Sequence, residues 1–410
     1  MITPAAWSAA CPAAAAPKGQ LLQHHLGDAR GAARLATDGT LALTALVEAM
    51  HARIASLPGR RGPEQTRGIT GLVYQTVRGV TRVVGGGVDS LLAALTPVLQ
   101  AGDSQRSTQA RDAVLAVLNG VLGDHLVASN NPLATPMALR HQGRVLELQR
   151  DALQATLPSA SGRVLVLLHG LCMNDHQWQR EGHDHGAALA LAAGYTPVYL
   201  HYNSGLPIHV SGASFAQQMQ ALLAAWPAAL ERVVLLGHSM GGLVARSALH
   251  QGATQGQAWV HRVDDAVFLG TPHAGAPLER AGRWVDLILG AAPYAAPLAR
   301  LGAMRSAGIT DLRHGKLLDG PPNALPVHVP LPTHLRCYTV AGTTGALERD
   351  LKDRLLGDGL VPLKSALGRH ADPARRLNFA PQHQLQVAHT GHMALLSSPA
   401  VNTALQHWLA

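Results

Sequence analysis

The sequence predicts an α/β fold with a mostly parallel central sheet, preceded by an amino-terminal all-α helical region. Three observations carry this. After Pro132, short apolar runs alternate with helical patterns, the arrangement expected of a parallel sheet covered on both faces. Before Pro132, apolar residues recur at helical spacing, as at Leu43, Leu46, Val47, Met50 and Ile54. Finally, Gly237-His238-Ser239-Met240-Gly241 stands between an apolar run and a helical pattern.

Residues 1–27 are rich in alanine and proline and read as disordered. They lack the positive start and compact apolar stretch of a secretory leader, so the cytoplasm is the expected location, with membrane association as the alternative. Residues 28–132 read as about four helices. The last carries Val114, Val117, Leu118, Val121, Leu122 and Leu126 on one face. Pro58-Gly59, Gly62-Pro63, Gly85-Gly86-Gly87 and Asn130-Asn131-Pro132 separate the helices.

Residues 133–410 form the expected α/β domain. A hairpin is read around Gln142-Gly143. Strands follow at 164–169, 197–201, 233–237, 265–270, 335–341 and 384–387, with helices at 215–226, 243–250 and 399–409. An insertion at about 276–330, containing Trp284, Leu287, Ile288 and Leu289, reads as a helical lid or as a packed helix pair.

Composition narrows the function classes. Hydrophobic residues make up 47% of 410, enough for a large core. The formal net charge is +8, with a local arginine cluster from Arg53 to Arg82. Single-strand nucleic-acid binding would need stacking aromatics beside those arginines, and the stretch offers only Tyr74. No nucleic-acid partner is therefore expected. A solvated face is the simpler reading, and a peripheral membrane surface is the candidate partner. Cys11, Cys172 and Cys337 make neither a disulfide framework nor metal spacing. His183, Asp184 and His185 fall short of a zinc set. No cofactor and no metal is implied. The uncharged stretch 287–299 is too short for a membrane span and contains Pro293 and Pro297.

The Gly-x-Ser-x-Gly sequence places Ser239 at a strand-to-helix turn as candidate nucleophile. The apolar run Val233-Val234-Leu235-Leu236 supplies the strand. A turn this tight strains the serine backbone and holds its hydroxyl at a helix amino terminus, where developing negative charge is favoured. An oxyanion needs two donors. The Met240 amide is one candidate. The Leu171 amide, in the His169-Gly170-Leu171 loop after a strand, is the other. Trp178 reads as an acyl-pocket wall or a core residue, and His169 as structural.

A serine needs a histidine to take its proton and a carboxylate to orient that histidine. In this arrangement the acid and base follow the serine in the chain. Asp358, in Gly357-Asp358-Gly359, is the best acid. Asp264 and Asp265 begin a strand, at the wrong end of the sheet, and Asp353 reads as a helix-face charge. His392 is preferred as base because it enters the apolar run Met393-Ala394-Leu395-Leu396, with His389 the alternative.

The stretches LVLLHGLCMND (165–175), LLGHSMGG (235–242), FLGTPHAG (268–275), GDGLVP (357–362) and GHMALLSSPAV (391–401) resemble the lipase/esterase-like branch of the α/β-hydrolase superfamily, including GPI-inositol-deacylase-like bacterial hydrolases. The resemblance covers about residues 137–410. It implies a Ser239–Asp358–His392 triad acting on a small-molecule or lipid ester, and a structural role for His273. Residues 67–89 look like the extension of some bacterial members. The lid reading makes Trp284 and Leu287 substrate-binding candidates alongside Trp178. Two other functions fit the same sequence: an acyltransferase, with another acceptor replacing water, and a membrane-surface or partner-binding scaffold built on the helical half.

Overall fold

The structure, a computed structural model, describes residues 30–38, 40–41, 109–276, 306–320, 326–345 and 357–410. Trp284, Leu287, Asp353, the Arg53–Arg82 cluster, most of the expected lid and residues 1–27 lie outside the described residues. The chain divides into two compact units. In the smaller, the helical residues near 30–41 meet the 130–133 turn. There Asn131 Nδ2 donates to the Gly31 carbonyl at 3.0 Å, and Arg34 Nη1 to the Asn130 carbonyl at 2.8 Å.

The larger unit comprises Gln109–Ser129 and Ala134–Ala410. Its first helix, α1 (Gln109–Ala128), was assigned from sequence to the amino-terminal helical region. The structure groups it with the α/β unit instead, where its Gly120 and Gly123 meet the loops at Cys172 and Asn203 and its Gly120 carbonyl accepts from Ser306.

The strands in chain order are β1 (Ala138–His141), β2 (Arg144–Val145), β3 (Arg163–Leu168), β4 (Thr196–His201), β5 (Arg232–His238), β6 (Asp265–Leu269), β7 (Arg336–Gly342) and β8 (Gln384–Val387). They form one sheet in the order β2-β1-β4-β3-β5-β6-β7-β8. The β1–β2 hairpin turns at Gln142-Gly143, and β1 runs antiparallel to β4. Every pair from β4 to β8 is parallel. The unbroken apolar sequences of β3, β5 and β6 follow from this placement: their side chains are buried on both faces.

The covering helices are α2 (Arg150–Thr156), α3 (His185–Ala193), α4 (Ile208–Ala225), α5 (Met240–Thr254), α6 (Ala307–His314), α7 (Leu363–Ala366) and α8 (Pro399–Leu409). One core cluster joins Leu165, Leu167, Leu236 and Val267 of the strands to Leu189 of α3 and Val401, Leu405 and Leu409 of α8. A mostly parallel sheet with a serine elbow between β5 and α5 is the α/β-hydrolase fold.

At the amino edge of the sheet, Asp265 is fully buried between Arg232 (Nε–Oδ2 2.8 Å) and Arg336 (Nε–Oδ1 2.8 Å). Arg232 also donates to the carbonyls of Trp408, Leu409 and Ala410. These contacts tie α8 to the sheet at the end where Asp265 begins its strand, so the acidic pair at 264–265 is structural. Among the described residues, no helix is long and apolar enough to cross a membrane.

Candidate active site

The site is assembled at the carboxyl ends of β3, β5, β6, β7 and β8. Ser239 follows β5 with φ 54° and ψ −122°. A non-glycine residue held there stores strain, of order 1–3 kcal/mol, which persists because the surroundings over-determine it. The glycines explain how. A Cβ on Gly237 would lie 2.6 Å from the Gly242 backbone, and one on Gly241 would press into the Leu168 and His169 carbonyls. Ser239 N–H donates to the Leu269 carbonyl at 2.8 Å, pinning the elbow to β6. Its Oγ is buried and makes no hydrogen bond among the described residues.

Asp358 follows the 346–356 segment after β7. Its Oδ1 accepts from the Leu360 and Val361 amides at 3.1 and 2.9 Å. Its Oδ2 accepts from His392 Nδ1 at 2.6 Å. The Asp358 carbonyl accepts the His392 amide at 3.0 Å, so both backbone and side chain hold the pair. A carboxylate oxygen only accepts, so Nδ1 carries a proton, and in the neutral ring Nε2 is left with the lone pair that a general base needs. His389, the alternative base, is exposed with φ 52°, and its amide donates to the Gly345 carbonyl. The geometry brings His392, not His389, to the acid.

Two neighbours locate Ser239 against this pair. The ring of His238, the preceding residue, lies 4.8 Å from the His392 ring, and its Nε2–H donates to the His392 carbonyl at 3.2 Å. A Cβ on Gly270, which follows Leu269, would lie 3.1 Å from both Asp358 Oδ2 and His392 Cε1. Burial, together with the His392 ring, holds His238 well below the ordinary imidazole range. It is therefore a neutral donor. Sequence reading passed over His238 because it occupies a variable place in the serine motif.

On the oxyanion side, a Cβ on Gly170 would lie 3.1 Å from Ser239 Cβ, so the 170–173 loop stands against the elbow. Met240 opens α5, and an amide there has no carbonyl one turn earlier to bond. Gly170 O accepts from His169 Nδ1 at 2.9 Å, and His169 Nε2 accepts from the Tyr202 amide at 3.4 Å. Burial pulls His169 down to about 3. It is a structural ring rather than a base.

Trp178 reads from sequence as an acyl-pocket wall or a core residue. It is wholly buried in the cluster with Leu167 and Leu189, its ring edge-on to His238 at 6.4 Å. Cys172 is also buried, and desolvation lifts its thiol to about 12, which removes the thiolate a cysteine nucleophile requires. His183 Nε2 and His185 Nδ1 share a 2.8 Å hydrogen bond while His185 Nε2 donates to the Leu395 carbonyl, so both rings brace the turn after His392. His273 is buried against Phe268 and accepts from Arg246 Nη1 at 3.3 Å.

Asp175 lies at the centre of a charged group unseen from sequence. Its Oδ1 accepts a hydrogen bond from Arg140 Nη1 at 3.0 Å, and His201 Nδ1 lies 3.0 Å from the same oxygen. Burial alone would raise its pKa, but the adjoining His201 ring and the Arg140 charge outweigh burial and hold its carboxyl below the ordinary carboxylate range.

A serine at a strained elbow, a buried imidazole–carboxylate pair and two backbone amides form the set of groups that acyl transfer uses. A family described as Domain of unknown function (DUF7379) matches residues 135–310. No curated protein matches the chain. Among solved structures, the chain is similar to the lipase BlEst2 of Bacillus licheniformis in mature form: 22% identity, over 60% of this chain and 92% of that one, TM-score 0.41. An esterase of Pyrobaculum calidifontis matches at 14% identity over 60% and 75%, TM-score 0.36. The RedJ thioesterase of the prodiginine biosynthetic pathway in Streptomyces coelicolor matches at 16% over 61% and 91%, TM-score 0.33.

Proposed function

We propose that this protein is a serine hydrolase that cleaves carboxylic esters through an acyl-Ser239 intermediate. The observation that carries the reading is the buried 2.6 Å hydrogen bond between His392 and Asp358, set beside the strained Ser239 elbow.

In this reaction His392 Nε2 takes the Ser239 proton as Oγ forms a bond to the ester carbonyl carbon. The negative charge moves to the carbonyl oxygen and is received by the Leu171 and Met240 amides. Collapse of the tetrahedral intermediate breaks the bond to the alkoxide, which leaves with the proton held on His392. Water then attacks the acyl-serine, giving its proton to His392, and the carboxylic acid departs as Ser239 recovers its proton. Asp358 stays ionised throughout and stabilises the imidazolium. The substrate is a small-molecule or lipid ester.

Fluorophosphonate labelling tests the proposal. The reagent should mark Ser239 in the wild-type chain, Ser239→Ala should abolish labelling, and p-nitrophenyl esters should be hydrolysed only by labelled-competent protein. Wild-type hydrolysis that survives in Ser239→Ala would overturn it.

A further inference from the structure

Helix α1 meets the 170–173 loop at Gly120, where the helix contributes no side chain and the Cys172 thiol packs against its backbone. A Cβ on Gly120 of α1 would overlap Cys172 Sγ and would lie 3.0 Å from the Cys172 Cα and 3.1 Å from its nitrogen. The Cys172 thiol faces the Val117 carbonyl one turn earlier, at 3.9 Å. Cys172 itself sits at φ 58°, a conformation costing about 1–2 kcal/mol for a residue with a side chain. Something must hold it there.

The same helix grips the neighbouring loop. Asn203 Nδ2 donates to the Gly123 carbonyl at 3.1 Å, and Gly205 packs on the Asn119 carbonyl without room for a side chain. Between these, Ser204 Oγ accepts the Cys172 amide at 2.9 Å. On its outer side α1 is locked by Ser306 Oγ, which donates to the Gly120 carbonyl at 2.7 Å, and by Asp124 Oδ2, which accepts the Ala307 amide at 2.9 Å.

The loop is held from the other side by the His169 hydrogen bond to the Gly170 carbonyl. In a trans peptide the carbonyl and the following N–H point in opposite directions. Fixing Gly170 O on one side and Cys172 on the other therefore fixes the direction of the Leu171 N–H between them. Hydrogen bonds weaken steeply with misalignment, so the seat of Cys172 controls how well Leu171 can receive an oxyanion.

We infer that α1 is a positioning element of the active site, and that the Gly120–Cys172 contact aims the Leu171 amide. This rests on the proposed serine hydrolase reading. Gly120→Ala drives a methyl group into Cys172 and tilts the loop. The expected result is a kcat lowered by about 10- to 100-fold, with KM for a p-nitrophenyl ester unchanged. Affinity for a boronic acid, which mimics the tetrahedral intermediate, should fall in parallel with kcat. Cys172→Gly removes the sulfur and suits the left-handed backbone, so Gly120→Ala/Cys172→Gly should recover most of the lost kcat. A general loss of stability would not be rescued in this way.

Should Gly120→Ala fail to fold, Ser204→Ala leaves the helix contact intact and releases only the Cys172 amide. It too should lower kcat and boronic acid affinity with KM unchanged. Wild-type kcat in the folded variant, or a loss that Cys172→Gly leaves unrepaired, would overturn the inference. Hydrogen exchange separates this from the hydrolase reading. If the wild-type chain cleaves no ester, faster exchange of the Cys172 amide in Gly120→Ala still supports the seat, and unchanged exchange overturns it.

Discussion

His392 Nδ1 donates to Asp358 Oδ2 across 2.6 Å, and both side chains are almost wholly shielded from water. The second carboxylate oxygen is saturated by the Leu360 and Val361 amides, so the acid has no freedom to turn away. Asp358→Asn should keep the fold and leave the imidazole proton on the wrong nitrogen. We expect kcat to fall by on the order of 10⁴-fold with KM little changed. Exposed His389 offers a contrast: His389→Ala should keep wild-type kcat, and His392→Ala should lose it. Equal losses in the two histidine variants would reject the assignment.

His238 should matter to rate without touching substrate. Its Nε2–H is the donor to the carbonyl of His392. Removing one such bond frees the base by about 1 kcal/mol, which predicts roughly a 5- to 10-fold lower kcat in His238→Ala at constant KM. His238→Gln, which keeps a donor, should recover part of it. A change confined to KM would contradict this role.

Acid should destabilise the protein early. Burial holds His185 at about 4 and His169 at about 3, against an ordinary value of 6.5. The unfolded chain therefore binds these protons more readily than the folded one. The contribution to stability is complete above pH 6.5 and falls as pH drops below it toward the folded values. Each ring should cost about 2 kcal/mol by pH 5. Urea midpoints at pH 7.5 and pH 5 measure this, and His185→Gln should flatten the slope. Equal midpoints at the two pH values would refute it.

Asp265 predicts a purely structural effect. Asp265→Ala leaves Arg232 and Arg336 facing each other without their shared carboxylate. Arg336 is half exposed, so water screens part of the loss. A destabilisation of about 2 kcal/mol is expected, below the usual cost of breaking a fully buried pair, with kcat unchanged. A wild-type melting temperature, or an altered kcat, would count against it.

The strands and the candidate nucleophile, acid and base were legible because each is written locally. Val233-Val234-Leu235-Leu236 is a buried strand by composition, and the turn after it by glycine placement. Strand β8 and helix α8 fall where the sequence puts them. What escaped depends on partners distant in the chain. Trp178 reads alike as pocket or core, and its burial in one cluster with Leu189, edge-on to His238, is set by partners that no local pattern marks. Gly120 looks like any glycine in a helix until Cys172, 52 residues later, is found against it. The Arg140–Asp175–His201 group combines side chains from three separate elements, and no spacing along the chain announces it.

Cys172 lies where helix meets loop, shielded from solvent and too weakly acidic to react. An alkylating reagent can reach that sulfur only when the loop lifts from its seat. Its modification rate, followed on the peptide that carries it, would thus clock spontaneous opening of the oxyanion side in the resting protein. Substrate mimics that close the site should slow that clock.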